Sequence, residues 1–189
     1  MRLFVAVELS DEVRRAAGRS SNALREKLGS RVNARWVAPE NLHVTVRFIG
    51  HVADDRADSL IRVVTAPIAA SPFDLRLAGC GVFPSSGTPR VIWIGLDEGL
   101  SSLTAIHHEM NARLAPLGFE PENRPFSGHL TLARIKDTKR GANAEVRRAI
   151  SEYQSARGRC RVTYATLFRS HLSPSGSRYE PLARIDLAS

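Results

Sequence analysis

Two tetrapeptides of one type stand 86 positions apart in the chain: His43-Val-Thr45-Val and His129-Leu-Thr131-Leu. Each sits in an apolar run whose alternation reads as a β-strand, ENLHVTVRFIG at 40–50 and GHLTLARI at 128–135. Side chains on a strand alternate between faces. His43, Thr45 and Arg47 therefore share one side, and Leu42, Val44, Val46 and Phe48 the other. The second copy sets His129 and Thr131 against Leu130 and Leu132. One such strand is no more than an antiparallel strand with a wet face and a surface histidine. Two copies suggest imidazoles that work together. The ordinary pKa of histidine, near 6.5, lets it gain or lose a proton at neutral pH. One protonated and one neutral imidazole on opposite sides of a phosphorus atom supply the acid and base of an in-line displacement. Threonine hydroxyls beside them can donate to the non-bridging oxygens as charge builds.

That chemistry needs elements that bring the two copies together, and the chain around them is duplicated. The first half reads as a strand at 2–8, then a helix with Ser10 as N-cap, Asp11 and Glu12 in its first turn, and Gly29 as its stop. A loop with Trp36 and Pro39 leads to the His43 strand. A helix at 54–66, burying Leu60, Ile61, Val63 and Val64, and a strand at 73–80 follow, before the turn-rich PSSGTP. The second half repeats the order: a strand at 90–96, a helix at 102–117 stopped by Gly118, and a loop with Pro121 and Pro125. The His129 strand, a helix at 143–154 and a strand at 159–168 come next. A turn, SPSG, and a strand at 178–187 close the chain. The first strands are offset by 88 residues and the stop glycines by 89. The expectation is an α+β fold in one domain, 1–189, with pseudo-repeat halves of about 1–84 and 85–189. A pseudo-two-fold axis would set His43 and His129 across a cleft from each other.

Composition narrows the partners. With 43% hydrophobic and 24% charged residues, the chain falls in the ordinary globular class. Lys and Arg number 27 against 19 Asp and Glu, a net +8, and only Lys27, Lys136 and Lys139 are lysines. Such a balance, with arginines gathered at 134–148 and 157–161, suits a polyanion such as nucleic acid. The opening apolar run is too short for a signal peptide, and no span reaches transmembrane length. Cys80 and Cys160, without metal-ligand spacing, read as reduced thiols of a cytoplasmic protein. Other histidines are set aside on local grounds. HHEMNAR has Ala112 where a zinc-protease helix needs its second histidine. HLSP at His171 imitates the motif, but Pro174 and the next two residues predict a turn there. His51 reads as a solvated loop residue. Trp36, Phe48 and Trp93 read as core, or one of them near the cleft mouth as a platform for a terminal base, and Tyr164 and Tyr179 are open in the same way.

The chain resembles the 2H phosphoesterases, in particular the bacterial and archaeal RNA 2′,3′-cyclic phosphodiesterases once called 2′-5′ RNA ligases. The stretches that carry the resemblance are MRLFVAVEL, RWVAPENLHVTVRFIG, GVFPSSGTPRVIWIGL, HLTLARI and LFRSHLSPSGSRYEPL. The resemblance implies a bilobal α+β fold with two antiparallel sheets facing across a central cleft and helices outside. It implies no metal and no other cofactor, a monomer, no membrane, and RNA with 2′,3′-cyclic phosphate ends as partner. By motif, His43 is the proton donor and His129 the acceptor, with Thr45 and Thr131 as phosphate ligands. Arg134 resembles a phosphate-contacting position, yet strand parity sets it opposite His129, so it reaches the cleft only through a bulge or a strand end. The same site run backwards, with an RNA 5′-hydroxyl in place of water, would be a 2′-5′ ligase. A non-catalytic module gripping RNA ends fits less well, because arginine or lysine would grip better than histidine. A metallohydrolase would need carboxylates or cysteines near the histidines.

Overall fold

Strand β1 (Arg2–Glu8) carries the most buried run of the chain, Leu3 to Val7, and takes a partner on each side. In the structure, a computed structural model that describes residues 1–122, 125–155, 158–173 and 176–188, one partner is β3 (His43–His51). The other is β8 (Tyr164–Ser173), which continues through a hairpin to β9 (Gly176–Asp186). A second antiparallel group joins β7 (Arg159–Val162), β4 (Phe73–Phe83), β5 (Val91–Glu98) and β6 (Leu130–Thr138), with β2 (Val32–Trp36) beside β6. The two antiparallel sheets meet where Val44 of β3 pairs with Leu130 of β6, so they form two halves of one curled sheet. Each half of the sequence lends a strand to the other's sheet. β4, from the first half, pairs with β5, and β8, from the second, pairs with β1.

The helices are α1 (Asp11–Leu28), α2 (Asp54–Val64), α3 (Leu100–Leu114) and α4 (Asn143–Ser151). α1 starts where expected: the Ser10 hydroxyl accepts from the Val13 amide at 3.4 Å, Asp11 and Glu12 fill the first turn, and Gly29 ends it at φ 49°. α3 packs on β3, α4 on β4, α1 on α4 and α2 on α3. The main core lies between these helices and one face of the sheet. The other face carries only a small cluster, Phe4, Ala6 and Phe168 with Tyr179 against it. No helix among the described residues is long and apolar enough to cross a membrane.

Several local expectations change. α2 buries Ala57, Leu60 and Val64, while Val63 is exposed, because the packed stripe runs at three- and four-residue spacing. β3 runs through His51, which closes the strand instead of lying in a loop. His171 is on β8, paired with Arg178 of β9, and not in a turn. The turn expected at Pro174 and Ser175 lies outside the described residues. The hairpin strands continue past His171 because alternate positions, Ser170 and Tyr179, pair on the cleft face. Both cysteines are free thiols, Cys160 buried and Cys80 partly so.

The floor beneath His129 depends on a glycine. Trp93 lies against β4 at Gly81, where an added Cβ would stand 2.2 Å from the indole, and it packs on Phe83 and the His129 ring. Gly81→Ala is expected to lower unfolding free energy by about 1–3 kcal/mol, as overpacking does. Denaturant titration measures this, and a shifted tryptophan emission should accompany it.

Candidate active site

The register at the join of the two sheets builds the site. Val44 and Leu130 are fully buried partners, and one step either way along that register sets His43 opposite Thr131 and Thr45 opposite His129. His43, Thr45, His129 and Thr131 all line one cavity of about 520 Å³. The two histidines thus stand at this join, His43 as the first residue of β3 and His129 immediately before β6.

Each imidazole is oriented the same way. His43 Nδ1 lies 2.8 Å from the carbonyl of Asn41, and His129 Nδ1 lies 2.7 Å from the carbonyl of Ser127. A carbonyl only accepts, so Nδ1 carries a proton in both rings and Nε2 is the exchangeable nitrogen. His43 Nε2 meets the Thr45 hydroxyl at 3.0 Å. Aromatic rings enclose the pair. Phe4 lies 5.0 Å and Tyr179 5.1 Å from the His43 ring, and Phe83 meets His129 edge-on at 5.0 Å. A smaller cavity of about 190 Å³, lined by Glu8, Arg14 and Phe168, backs His43.

This enclosure sets the charge. Burial pushes the His43 pKa down to about 4, with Arg134 and His129 adding repulsion and the Asn41 carbonyl opposing. Burial also lowers His129, again with Arg134 repelling its charged form and the Ser127 carbonyl opposing. The ligand-free site therefore holds two neutral imidazoles at neutral pH.

A bulge in each motif strand corrects the sequence-based faces. On β3 the register against β1 jumps at Val46 and Arg47, and on β6 the register against β5 jumps at Leu132 and Ala133. Each bulge adds one residue and reverses the alternation beyond it. Arg134 thereby turns into the cleft, by the device its parity required. Phe48, expected in the core, also lines the cleft and is 45% exposed. Arg47, expected beside His43, is buried instead, bound to the carbonyls of Phe48 and Glu120 and to the Glu122 carboxylate. His107, set aside as a metal ligand, supports the first bulge from below. Its Nδ1–H donates to the Val46 carbonyl at 2.8 Å while Asn111 donates to its Nε2 at 2.9 Å. No local pattern announces that role.

The remaining residues divide clearly. Tyr179 is in the cleft, whereas Tyr164 lies under the Arg184 guanidinium. Trp36 packs on the core. His171 contacts Glu180 at 2.6 Å, on the hairpin face opposite Ser170 and Tyr179, and holds the Glu180 carboxyl below its ordinary range. Part of the basic runs expected to meet a polyanion binds the protein itself. Arg159 and Arg161 bridge to Asp74, Arg159 also to Glu98, and Arg147 binds the carbonyls of Pro84 and Ser85. Arg157 lies outside the described residues. Among the described residues, the cations that line the cleft are Arg2, Arg35 and Arg134. Sequence reading missed the first two, whose outward alternation was visible but whose sheet partners were not.

Histidine NMR tests the electrostatics directly. His43 is expected to titrate near pH 4 and His129 below the ordinary 6.5. An unfolded histidine takes its proton near 6.5 while folded His43 resists it until about 4. Protonation therefore favours the unfolded chain as pH falls through that window, and stability drops. His43→Gln should flatten that drop in melting temperature.

Known proteins match this architecture along its whole length. A family model described as LigT like Phosphoesterase matches twice, over residues 7–93 and 94–179. The RNA 2′,3′-cyclic phosphodiesterase of Archaeoglobus fulgidus is 33% identical over 183 residues, covering 96% of this chain and 98% of that protein. The crystal structure of TT0787 of Thermus thermophilus superposes with a TM-score of 0.77 at 27% identity, over 99% of this chain and 98% of that one. That of Escherichia coli LigT complexed with 3′-AMP gives 0.76 at 28% identity, over 100% and 98%.

Proposed function

The chain belongs to the LigT-like phosphoesterases, and from that membership we propose that it hydrolyses 2′,3′-cyclic phosphate ends of RNA to 2′-phosphomonoesters. The observation that carries this reading is the matched pair of imidazoles. Each commits Nδ1–H to a backbone carbonyl two residues upstream, and both line one cavity with a threonine apiece. The names of the relatives, RNA 2′,3′-cyclic phosphodiesterases, support the substrate.

In this mechanism His129 Nε2 takes a proton from water as its oxygen attacks phosphorus in line with O3′. The P–O3′ bond breaks, and O3′ takes the proton of His43 Nε2, leaving a 3′-hydroxyl and a 2′-phosphate. The Thr45 and Thr131 hydroxyls donate to the non-bridging oxygens, and Arg134 neutralises their charge. The donor role asks His43 to hold a proton that the free site disfavours. The phosphodiester supplies the missing attraction, because an anion within a few ångströms raises an imidazole's pKa. Phe48, with Phe4 and Tyr179 behind it, offers an apolar wall to the terminal nucleoside. Among the described residues no three His, Cys, Asp or Glu side chains gather as a metal site.

An oligoribonucleotide ending in a 2′,3′-cyclic phosphate should be opened in the presence of EDTA. Activity lost on chelation and restored by zinc or manganese would refute the metal-free mechanism. The pH profile of kcat/KM should be a bell whose alkaline limb lies below 6.5, since both free-site values are lowered. Its limbs belong to the coupled pair. The alkaline limb of kcat should lie higher, because bound phosphate raises the acid. A flat profile from pH 5 to 9 sinks the acid–base pair.

Single substitutions separate the roles. His43→Ala and His129→Ala should each lower kcat by about 10²–10⁴-fold, the usual share of one acid or base. Thr45→Val and Thr131→Val should cost roughly tenfold to a hundredfold. His171→Ala should keep near-wild-type turnover. Turnover lost in His171→Ala but kept in His129→Ala would overturn the assignment of the second histidine.

A further inference from the structure

The arginine that acts at phosphorus, Arg134, has a second arginine beside it in the cleft. Arg35 of β2 is the direct cross-strand partner of Arg134 of β6. Cross-strand partners share a face and hold their Cβ atoms about 4.5–5.5 Å apart. Both arginines are exposed, and both line the 520 Å³ cavity with the two histidines. Their orientation is fixed by their neighbours. Trp36 packs into the core, Val37 donates its amide to the Leu132 carbonyl at 2.8 Å, and Ala133, the partner of Trp36, is fully buried. Arg35 therefore cannot turn to the helix side without unpacking Trp36.

The two arginines differ in reach. Arg134 is close enough to both imidazoles to repel their charged forms, and it lines the cavity with them. Arg35 stands on β2, along the edge of β6 that faces away from β5, one strand further from His129. Across the cleft from β2 the lining is aromatic, with Phe4, Phe48 and Tyr179. The cavity thus has an aromatic end, which Arg2 also lines, and an end formed by Arg35 and Arg134, with the histidines between them. Its volume lies in the range of sites that hold molecules much larger than one phosphate.

We propose that Arg35 forms a second phosphate subsite, which takes the phosphodiester on the 5′ side of the terminal nucleotide while Arg134 takes the cyclic phosphate. The terminal nucleoside then lies against Phe48, and the RNA strand leaves the cleft over β2. The enzyme accordingly selects an RNA chain over a cyclic mononucleotide, by one added charge-assisted contact. This rests on the cyclic phosphodiesterase reading above.

The test compares kcat/KM for adenosine 2′,3′-cyclic phosphate and for the dinucleotide ApA ending in a 2′,3′-cyclic phosphate. It uses the wild type, Arg35→Gln, Arg35→Lys and Arg2→Gln. Wild type should prefer the dinucleotide by about tenfold, the worth of one such contact. Arg35→Gln should lower that ratio by about tenfold, through KM for the dinucleotide, and Arg35→Lys should restore part of it. The salt dependence of the dinucleotide KM should weaken by close to one ion in Arg35→Gln. Equal losses on both substrates, or no loss on either, overturn the proposal. So does a ratio that falls in Arg2→Gln and not in Arg35→Gln, which would reverse the strand's direction. Wild-type turnover without chain-length preference overturns this inference alone, whereas no wild-type turnover of either substrate overturns the phosphodiesterase reading and this one with it.

Discussion

The join between the two sheets rests on one ladder pair, Val44 with Leu130, both sealed beneath the cleft. Each residue lies between the histidine and the threonine of its own motif. A slip of one residue at this pair would turn one motif's polar side chains into the core. A slip of two would keep the faces but move a histidine away from the opposite threonine by about 6–7 Å, two strand rises. Two aliphatic side chains cannot hold such a register alone. The exchange of β4 and β8 between the halves braces it, because each sheet contains strands from both ends of the chain.

The same closeness that makes the site possible makes it electrostatically expensive. Two imidazoles and a guanidinium converge in a cleft walled by Phe4, Phe83, Phe168 and Tyr179, so every proton added raises the energy of the empty site. The Asn41 and Ser127 carbonyls offset part of that cost, and they fix which nitrogen faces the reaction. An anionic ligand reverses the balance.

The bulges show how a fold distributes roles that a regular strand could not. In both motif strands the third cleft-facing residue follows an inserted one, and the two copies use it differently: Phe48 on one side, Arg134 on the other. A bulge leaves backbone groups outside the ladder, and they need other partners. His107 meets the Val46 carbonyl, and Arg47 is buried where it ties the chain after α3 to β3. Equivalent positions of a duplicated scaffold thus place an aromatic ring at one end of the cleft and a guanidinium at the other.

The motif residues, the duplication, the helix caps and the α+β class were legible in the sequence because they are set by local periodicity, while the two facing sheets came only from the family resemblance. Alternation of two marks a strand, a stripe at three and four marks a helix, and Ser10 and Gly29 end one through their own backbone and side-chain geometry. Even the need for a bulge before Arg134 followed from parity. The sequence left open everything that depends on which strands become neighbours. That β4 and β8 change sheets, that Arg35 meets Arg134, that Phe48 enters the cleft while Arg47 leaves it, and that His107 supports the bulge are decided by burial summed over the whole core. So is the low proton affinity of His43, which belongs to its surroundings and not to the motif. A residue's period is written beside it in the chain, but its partner and its dielectric are supplied by segments dozens of positions away.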